Sequence, residues 1–435
     1  MTKPLLNPEW VVRLEGFRRL IVGYSGGLDS TVLLATLASQ PSLHGKILAV
    51  HVNHAISANA IFWQQHCEQT CHNLIIPCIS QTVTFDCRAN IEERARIARY
   101  AVFTSVVEAQ DALVLGHHLN DQAETMLLQL FRGAGVDGLA AMSESNDFGL
   151  GMLLRPFLSL TRGQLEAYAI KHQLQWIDDE SNENTQYSRN YLRHEIMPLL
   201  IKKFPGVVGN IARAANHCQQ AKVNLYQLAE QDMSNLKLIS EHDNHNTLLV
   251  TPLKKLTNER ITNVLRLWLK KHEVSLPSTS TLQRIIFEVI HGEVDTNPLV
   301  SWGPIQIRRF DGRLYLDLQN SIASTSMDSL PWNNFPLPIV LANGYTQIIA
   351  HEQSEGLKIP LNAKIVIRYR QGGELFFWHG QRKQLKKLFQ QWHIPPWHRD
   401  SIPLIYINDE LAAVVGYAIS DLFYSSLKGW HLVSI

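Results

Sequence analysis

The chain has 435 residues, enough for two to four domains at about 100–200 residues each. Lys and Arg number 40 against 39 Asp and Glu, a formal charge of +1. With 45% hydrophobic and 18% charged residues, this composition excludes a disordered chain, a collagen and a strongly basic histone-like binder. Five scattered cysteines give no disulfide framework, the start has no signal-peptide pattern, and no uncharged apolar run reaches the roughly 18 residues a membrane span needs, so a cytoplasmic protein without a membrane partner is expected.

In chain order, the apolar pattern predicts a short buried strand at 20–24, a glycine-rich turn and a helix over 31–39. A second strand at 46–52, a helix over 62–73 and a third strand at 75–83 follow. A long helix over 91–110, a fourth strand at 112–116 and a helix over 121–131 with an acidic first turn complete this half. Strands alternating with helices imply βαβ units, hence an α/β, doubly wound, mostly parallel sheet covered on both faces. Beyond residue 160, helices are expected over 164–172, 191–203, 207–236, 258–272 and 279–291, with strand-like alternation at 299–318. Residues 314–357 contain no Lys or Arg, and a linker is expected around 321–338. The last segment reads as strands near 365–369 and 411–415 with a basic helix between them. The expected division is therefore 1–215, a mainly helical middle domain at 216–320, and a small basic α+β domain at 340–435.

The string Tyr24-Ser25-Gly26-Gly27-Leu28-Asp29-Ser30-Thr31 stands where a strand hands over to a helix. Glycines let the backbone turn tightly and approach a ligand, and the first N–H groups of a helix are unpaired and partly positive, so phosphate is the natural guest. A Walker loop would end in Gly-Lys-Ser/Thr. No lysine is present here, so the chemistry is not expected to centre on a γ-phosphate. The structural alternative is a plain strand-to-helix turn capped by Asp and Ser.

This string resembles the PP-loop of the N-type ATP pyrophosphatases, which cleave ATP between the α- and β-phosphates and adenylate a substrate. Further strings resemble the bacterial tRNA(Ile)-lysidine synthetase family within that group. They are His51-Val52-Asn53-His54, the Glu/Arg-rich stretch from Asn90 through Glu92, Arg96 and Arg99 to Tyr100, and Leu115-Gly116-His117-His118-Leu119-Asn120-Asp121-Gln122-Ala123-Glu124-Thr125. Arg132-Gly133-Ala134-Gly135, Arg155-Pro156, Arg189-Asn190-Tyr191-Leu192-Arg193 and Pro395-Pro396-Trp397 continue in the same order. Asn120 departs from the family, where many members carry Asp, which puts a metal role for that position in doubt.

The resemblance implies a reaction with ATP and Mg2+ in which the wobble cytidine of tRNA(Ile) with a CAU anticodon is adenylated and then attacked by the side-chain amine of free L-lysine. It implies that Ser25, Gly26, Gly27, Leu28, Asp29, Ser30, His51 and Asn53 hold the nucleotide. Asp29, Asp121 and Arg193 would be catalytic, with Asp29 and Asp121 also binding the metal. Asp29 either binds magnesium or orients the lysine ammonium, and Arg193 contacts the triphosphate. Arg132, Arg189, Arg382, Lys383, Lys386 and Lys387 would touch the tRNA, and a second copy of the chain is kept as a candidate partner. The structural alternatives are a helix cap for Asp121 and a solvated helix face for Arg189 and Arg193. Residues 364–387 carry seven Lys and Arg against one Glu, with interleaved aromatics, which suits RNA phosphates and bases or a solvated basic helix. His51, His54, His117 and His118 lack zinc spacing, as do Cys67 and Cys71 with His66 and His72. The missing Cys-x-x-Cys disfavours sulfur transfer. Two other readings compete: another PP-loop ligase, which a glutaminase domain would favour, and an RNA-binding protein whose ATP fold is regulatory.

Overall fold

The structure, a computed structural model, describes residues 4–85, 91–234, 247–293, 298–318, 329–341 and 346–434. Asn90, Cys87 and residues 321–328 of the expected linker lie outside them. The chain forms two compact units, Met1–Leu225 and Tyr226–Ile435.

The first unit is built on a six-stranded sheet. Its strands are β1 (Leu20–Gly23), β2 (Ile47–Asn53), β3 (Cys78–Thr82), β4 (Ala112–Val114), β5 (Ser145–Phe148) and β6 (Gly151–Leu154). Their order is β3-β2-β1-β4-β6-β5, parallel throughout except for β5 at the edge. The helices up to β5 include α1 (Pro8–Glu15), α2 (Leu28–Ala38), α3 (Pro41–His44), α4 (Ala60–Asn73), α5 (Ile91–Val106) and α6 (Leu119–Phe131). Successive residues of β1 face opposite sides. Leu20 and Val22 pack in one core with Val32, Leu33 and Leu37 of α2, whereas Ile21 joins Val102 and Phe103 of α5 in a second. This two-sided burial is why the strand reads as an unbroken apolar run. Because β1 sits between β2 and β4, the strand order reverses there, and the crevice beyond the carboxyl ends of β1 and β4 is where such sheets bind ligands.

The N-terminal end of β4 is tied down by charge. The Asp111 carboxylate is fully buried and accepts from Arg18 Nε at 3.0 Å, Arg19 Nη2 at 2.6 Å and the Glu108 backbone N–H at 3.0 Å. Burial alone would push this carboxyl up, but the two guanidiniums outweigh it and hold it down at about 2. The β5–β6 hairpin has no counterpart in the sequence reading. It extends the sheet beyond β4, and buried Arg155 just after it donates from Nη1 to Ser143 O at 2.7 Å.

In the second unit, helices Asn258–Lys271 and Thr279–Arg284, the latter running on into the π-helical turn Ile285–Ile290, pack on a four-stranded antiparallel sheet. The alternation expected at 299–318 resolves into strands Leu299–Trp302, Ile305–Phe310 and Arg313–Leu318, joined by the short strand Leu248–Leu249. The linker expected around 321–338 is corrected where it is described. Leu330–Pro331 pairs with Ile365–Arg368, and Trp332 is buried, donating from Nε1 to Leu337 O at 2.9 Å. A large indole with a satisfied N–H anchors this stretch despite its polar composition. Trp397, half-buried, packs edge-on against Phe310 and Tyr315 with Arg308 over its ring at 4.9 Å, and buried Arg399 donates to Ile394 O at 2.9 Å, so this motif is anchored to the unit while Pro396 stays exposed.

Candidate active site

The loop after β1 turns through Gly26, whose φ of +85° is a left-handed conformation. A Cβ there would lie 2.8 Å from Cys67 Sγ and from Ile177 Cδ1, so both backbone and packing demand glycine. Gly27 differs: its φ is −72° and a Cβ would meet nothing closer than Ser25 Oγ at 3.6 Å. Ser30 Oγ accepts from Ser25 N–H at 3.2 Å and donates to Gly27 O at 3.1 Å, while Thr31 Oγ1 donates to Gly26 O at 3.2 Å. These buried hydroxyls staple the loop. Ser25 stays exposed, 3.0 Å from Ser30 Oγ, and Leu28 contributes a core side chain. No side chain caps α2 at Gly27, so its first-turn N–H groups have no partner in their own helix, while the Gly27 N–H itself donates to Ser25 Oγ at 3.4 Å.

We expect Gly26→Ala to lower the melting temperature and Gly27→Ala to leave it unchanged. The second variant should raise the KM for ATP by about tenfold or more, the worth of one charge-assisted hydrogen bond lost by steric exclusion. Thermal melts and steady-state kinetics separate the two; an unaltered KM in the Gly27 variant would remove this turn from nucleotide binding.

The loop after β4 closes on the same place. A Cβ on Gly116 would sit 2.8 Å from the Asp29 carbonyl oxygen, so this glycine lets the two loops touch. His118 then caps α6. Its Nδ1 accepts from Asp121 N–H at 3.3 Å, and Asp121 Oδ2 accepts from His118 N–H at 3.0 Å, a reciprocal capping box. With Nδ1 accepting, the ring proton sits on Nε2, 3.5 Å from Asp29 Oδ1. Burial disfavours the charged ring, but Asp29 and Asp121 outweigh it and raise the His118 pKa.

Asp121 thus is the helix cap that its position allows, and more. Its Oδ1 also accepts from Arg189 Nη2 at 2.9 Å and Arg193 Nη2 at 3.0 Å. Glu124, one turn on and buried, accepts from Arg189 Nε at 2.9 Å and Arg193 Nε at 2.7 Å. The arginines lie on a continuous helical run at 188–203 that contains the π-helical turn Leu192–Ile196 at Arg193. They are therefore not a solvated face. Glu124 is the residue that sequence reasoning missed as a site candidate, although acids spaced i, i+3 facing arginines spaced i, i+4 were a legible sign of two complementary helix faces. Burial pushes the Asp121 carboxyl up, yet His118 and Arg189 hold it down at about 2.

Other expected positions lie apart or are committed to the scaffold. His51 Nδ1 bonds Tyr24 O at 3.0 Å and burial lowers its pKa. Asn53 accepts from Ala55 N–H at 2.9 Å and donates to Gln64 Oε1 at 3.0 Å, bracing the turn after β2. Burial lowers His117 to about 3. Arg132 is exposed at the C-terminal end of α6. In the second unit, Arg382 and Lys383 lie on strand Gln381–Gln384 rather than on a helix, and exposed Lys386 and Lys387 lie on helix Leu385–Gln391. Neighbouring acids offset much of the local charge: Arg368 pairs with Asp409, Arg370 with Asp400 at 2.8 Å and Arg382 with Glu410 at 3.1 Å.

Among the described residues, no three His, Cys, Asp or Glu side chains gather to hold a metal. Magnesium does not need such a cage, because one or two carboxylates with substrate phosphates and water suffice. Asp121 has both oxygens engaged by arginines and the His118 N–H, whereas Asp29 Oδ1 is buried without a hydrogen bond among the described residues. The donor set fits a phosphate-bound magnesium at Asp29 and not directly at Asp121.

A lysine-free loop with open helix amides, set beside carboxylates at the reversal point of a parallel sheet, defines a PP-loop ATP-binding domain. Comparison with known families agrees: the PP-loop domain matches residues 3–200, the TilS substrate binding domain 248–315 and the TilS substrate C-terminal domain 365–433. The tRNA(Ile)-lysidine synthase of Legionella pneumophila (strain Lens) is 56% identical over 100% of both chains. That of Coxiella burnetii (strain RSA 493 / Nine Mile phase I) is 41% identical over 97% of this chain and 94% of its own. The chain belongs to the tRNA(Ile)-lysidine synthase family.

Proposed function

We infer that the chain catalyses ATP-dependent ligation of free lysine to carbon 2 of the wobble cytidine of tRNA(Ile) bearing a CAU anticodon, releasing AMP and pyrophosphate. The observation that carries this reading is the meeting of the uncapped α2 N-terminus and Asp29 with the His118–Asp121–Glu124 end of α6 at one sheet crevice. A cytosine oxygen leaves poorly, and adenylation turns it into a good leaving group. The amides at Gly27 to Ser30 and the exposed Ser25 hydroxyl receive the phosphates, and Ser30 holds the loop in shape. Asp29 holds magnesium or the ammonium of the incoming lysine. Magnesium, when bound, neutralises charge on the departing pyrophosphate. Arg193, which senses the Asp29 charge, is locked with Arg189 by two carboxylates, so its guanidinium keeps its orientation without reorganising during the reaction.

On this reading the second unit holds the body of the tRNA, with Lys383, Lys386 and Lys387 among its phosphate contacts. Among the described residues no helix is long and apolar enough to cross a membrane. The direct assay mixes protein, ATP, Mg2+, labelled lysine and that tRNA, and the expected result is labelled RNA with matching AMP and pyrophosphate. If the nucleotide stays intact, the reading fails. Replacing Lys386 and Lys387 together by alanine should weaken tRNA binding and shallow its logarithmic salt dependence by roughly one to two. An unchanged slope would take these lysines out of the RNA interface.

A further inference from the structure

Beside the site just described lies a cleft of about 460 Å³ that no step above uses. Its volume falls within the about 300–1,000 Å³ typical of small-ligand sites. The same two elements build both places. The first turns of α6 carry Asp121 and Glu124, and its last turn carries Leu128, Phe131 and the following Arg132. The helical run at 188–203 sends Arg189 and Arg193 to the acids, while Ser188 and Tyr191 line the cleft with Gln186. Leu128 and Glu124 are four residues apart, so the cleft begins roughly 6 Å along α6 from the acid pair and reaches Phe131 one turn further on.

We propose that this cleft is a stacking subsite for an unpaired nucleobase adjacent to the reacting cytidine in the substrate RNA. The proposal rests on the functional reading above and deepens it. Phe131 is 67% and Tyr191 50% exposed, and both line the same cleft, so the two side chains are open to a ligand there. Splayed single-stranded bases are held by aromatic faces, by polar groups at their edges and by a cation on the backbone, and here the rings, the Gln186 and Ser188 side chains and Arg132 supply each of these. The two helical elements that the cleft shares with the acid–arginine cluster favour RNA over a protein segment, because the strand that delivers the cytidine must pass close to them.

The test measures kcat and KM for tRNA, lysine and ATP with the full-length protein. Substrates are the intact CAU tRNA and two versions carrying an abasic ribose at the nucleotide immediately before or immediately after the reacting cytidine. Phe131→Ala and Tyr191→Ala should each raise the KM for tRNA about five- to a hundredfold, as expected for a lost base–aromatic stack, with the KM values for lysine and ATP unmoved. Phe131→Trp should restore it. One abasic RNA should impose the same penalty on the native protein and no further penalty on Phe131→Ala. Strictly multiplicative losses with both abasic RNAs, an effect confined to the KM for lysine or ATP, or no effect would each overturn the subsite in a working enzyme. Failure of the native protein to release AMP with the intact RNA would overturn the functional reading and the subsite with it.

Discussion

Asp29→Ala should lower lysine incorporation into the CAU tRNA by at least about a thousandfold while the protein melts within a few degrees of native. The activity estimate follows from removing a preorganised charge where the reaction develops its own, which costs about a hundred- to a thousandfold for a single neutral donor and more for an ion. The stability estimate follows from position. Asp29 lies in the first turn of α2 with its side chain 35% exposed, and its favourable interaction with the helix dipole is about 0.3–1 kcal/mol. Asn at this position separates two roles. It keeps a polar oxygen facing His118 Nε2 at about the same distance, but carries no charge for magnesium or an ammonium group. Asp29→Asn should therefore be nearly as inactive as Asp29→Ala. Native-like turnover in either variant, measured by labelled RNA and AMP release, would remove Asp29 from the mechanism.

Glu124→Ala should have the largest effect on stability. Its carboxylate is 3% exposed and receives both arginines, at 2.9 Å from Arg189 and at 2.7 and 2.8 Å from Arg193. Truncation leaves two guanidiniums, 26% and 22% exposed, facing Asp121 alone. Breaking a buried ion pair costs about 3–5 kcal/mol, and partial exposure of the arginines places the loss near the lower end, a fall in Tm of roughly 5–10 °C. Activity should fall with it, since Arg193 loses the partner that aims it. A variant melting like the native protein would show that the cluster does not hold the helices together.

Asp121 adds a pH signature to the same cluster. Its carboxyl is held at about 2, below its ordinary 3.8, as is that of Asp111. A depressed carboxyl stabilises the fold fully above its unfolded value and loses that contribution as pH falls through the folded one. Urea midpoints should therefore begin to decline below about pH 6.5, where buried His51 and His117 resist protonation, and fall further between pH 4 and 2 as these carboxylates are neutralised. Asp111→Asn should flatten that limb, and a limb unchanged in this variant would contradict the buried-carboxylate account.

The strand–helix alternation of the first 131 residues, the glycine turn and Asp29 were legible in the sequence because each rests on local chemistry. Those features are two-sided burial of short strands, left-handed φ at Gly26 and open amides at a helix start. The β5–β6 hairpin was not legible, since Ser145–Phe148 is short and polar and gains its ladder only by pairing with a strand that itself needs β4. Folding of the stretch around Trp332 was equally hidden, because its partner, Ile365–Arg368, lies more than thirty residues away. Arg189 and Arg193 could be placed on a helix but not given their purpose, for the acids they meet lie 65 to 72 positions earlier.

By itself the sequence determined which segments of the first 131 residues turn, coil or extend, and it carried the glycine turn complete, because those outcomes depend on neighbours within a few residues. The tertiary structure alone decided that His118 reaches Asp29, that Glu124 joins Asp121 against two arginines, and that Arg368, Arg370 and Arg382 meet acids near 400–410. Charges act through space across a few ångströms, and only the folded chain fixes which distant groups come that near.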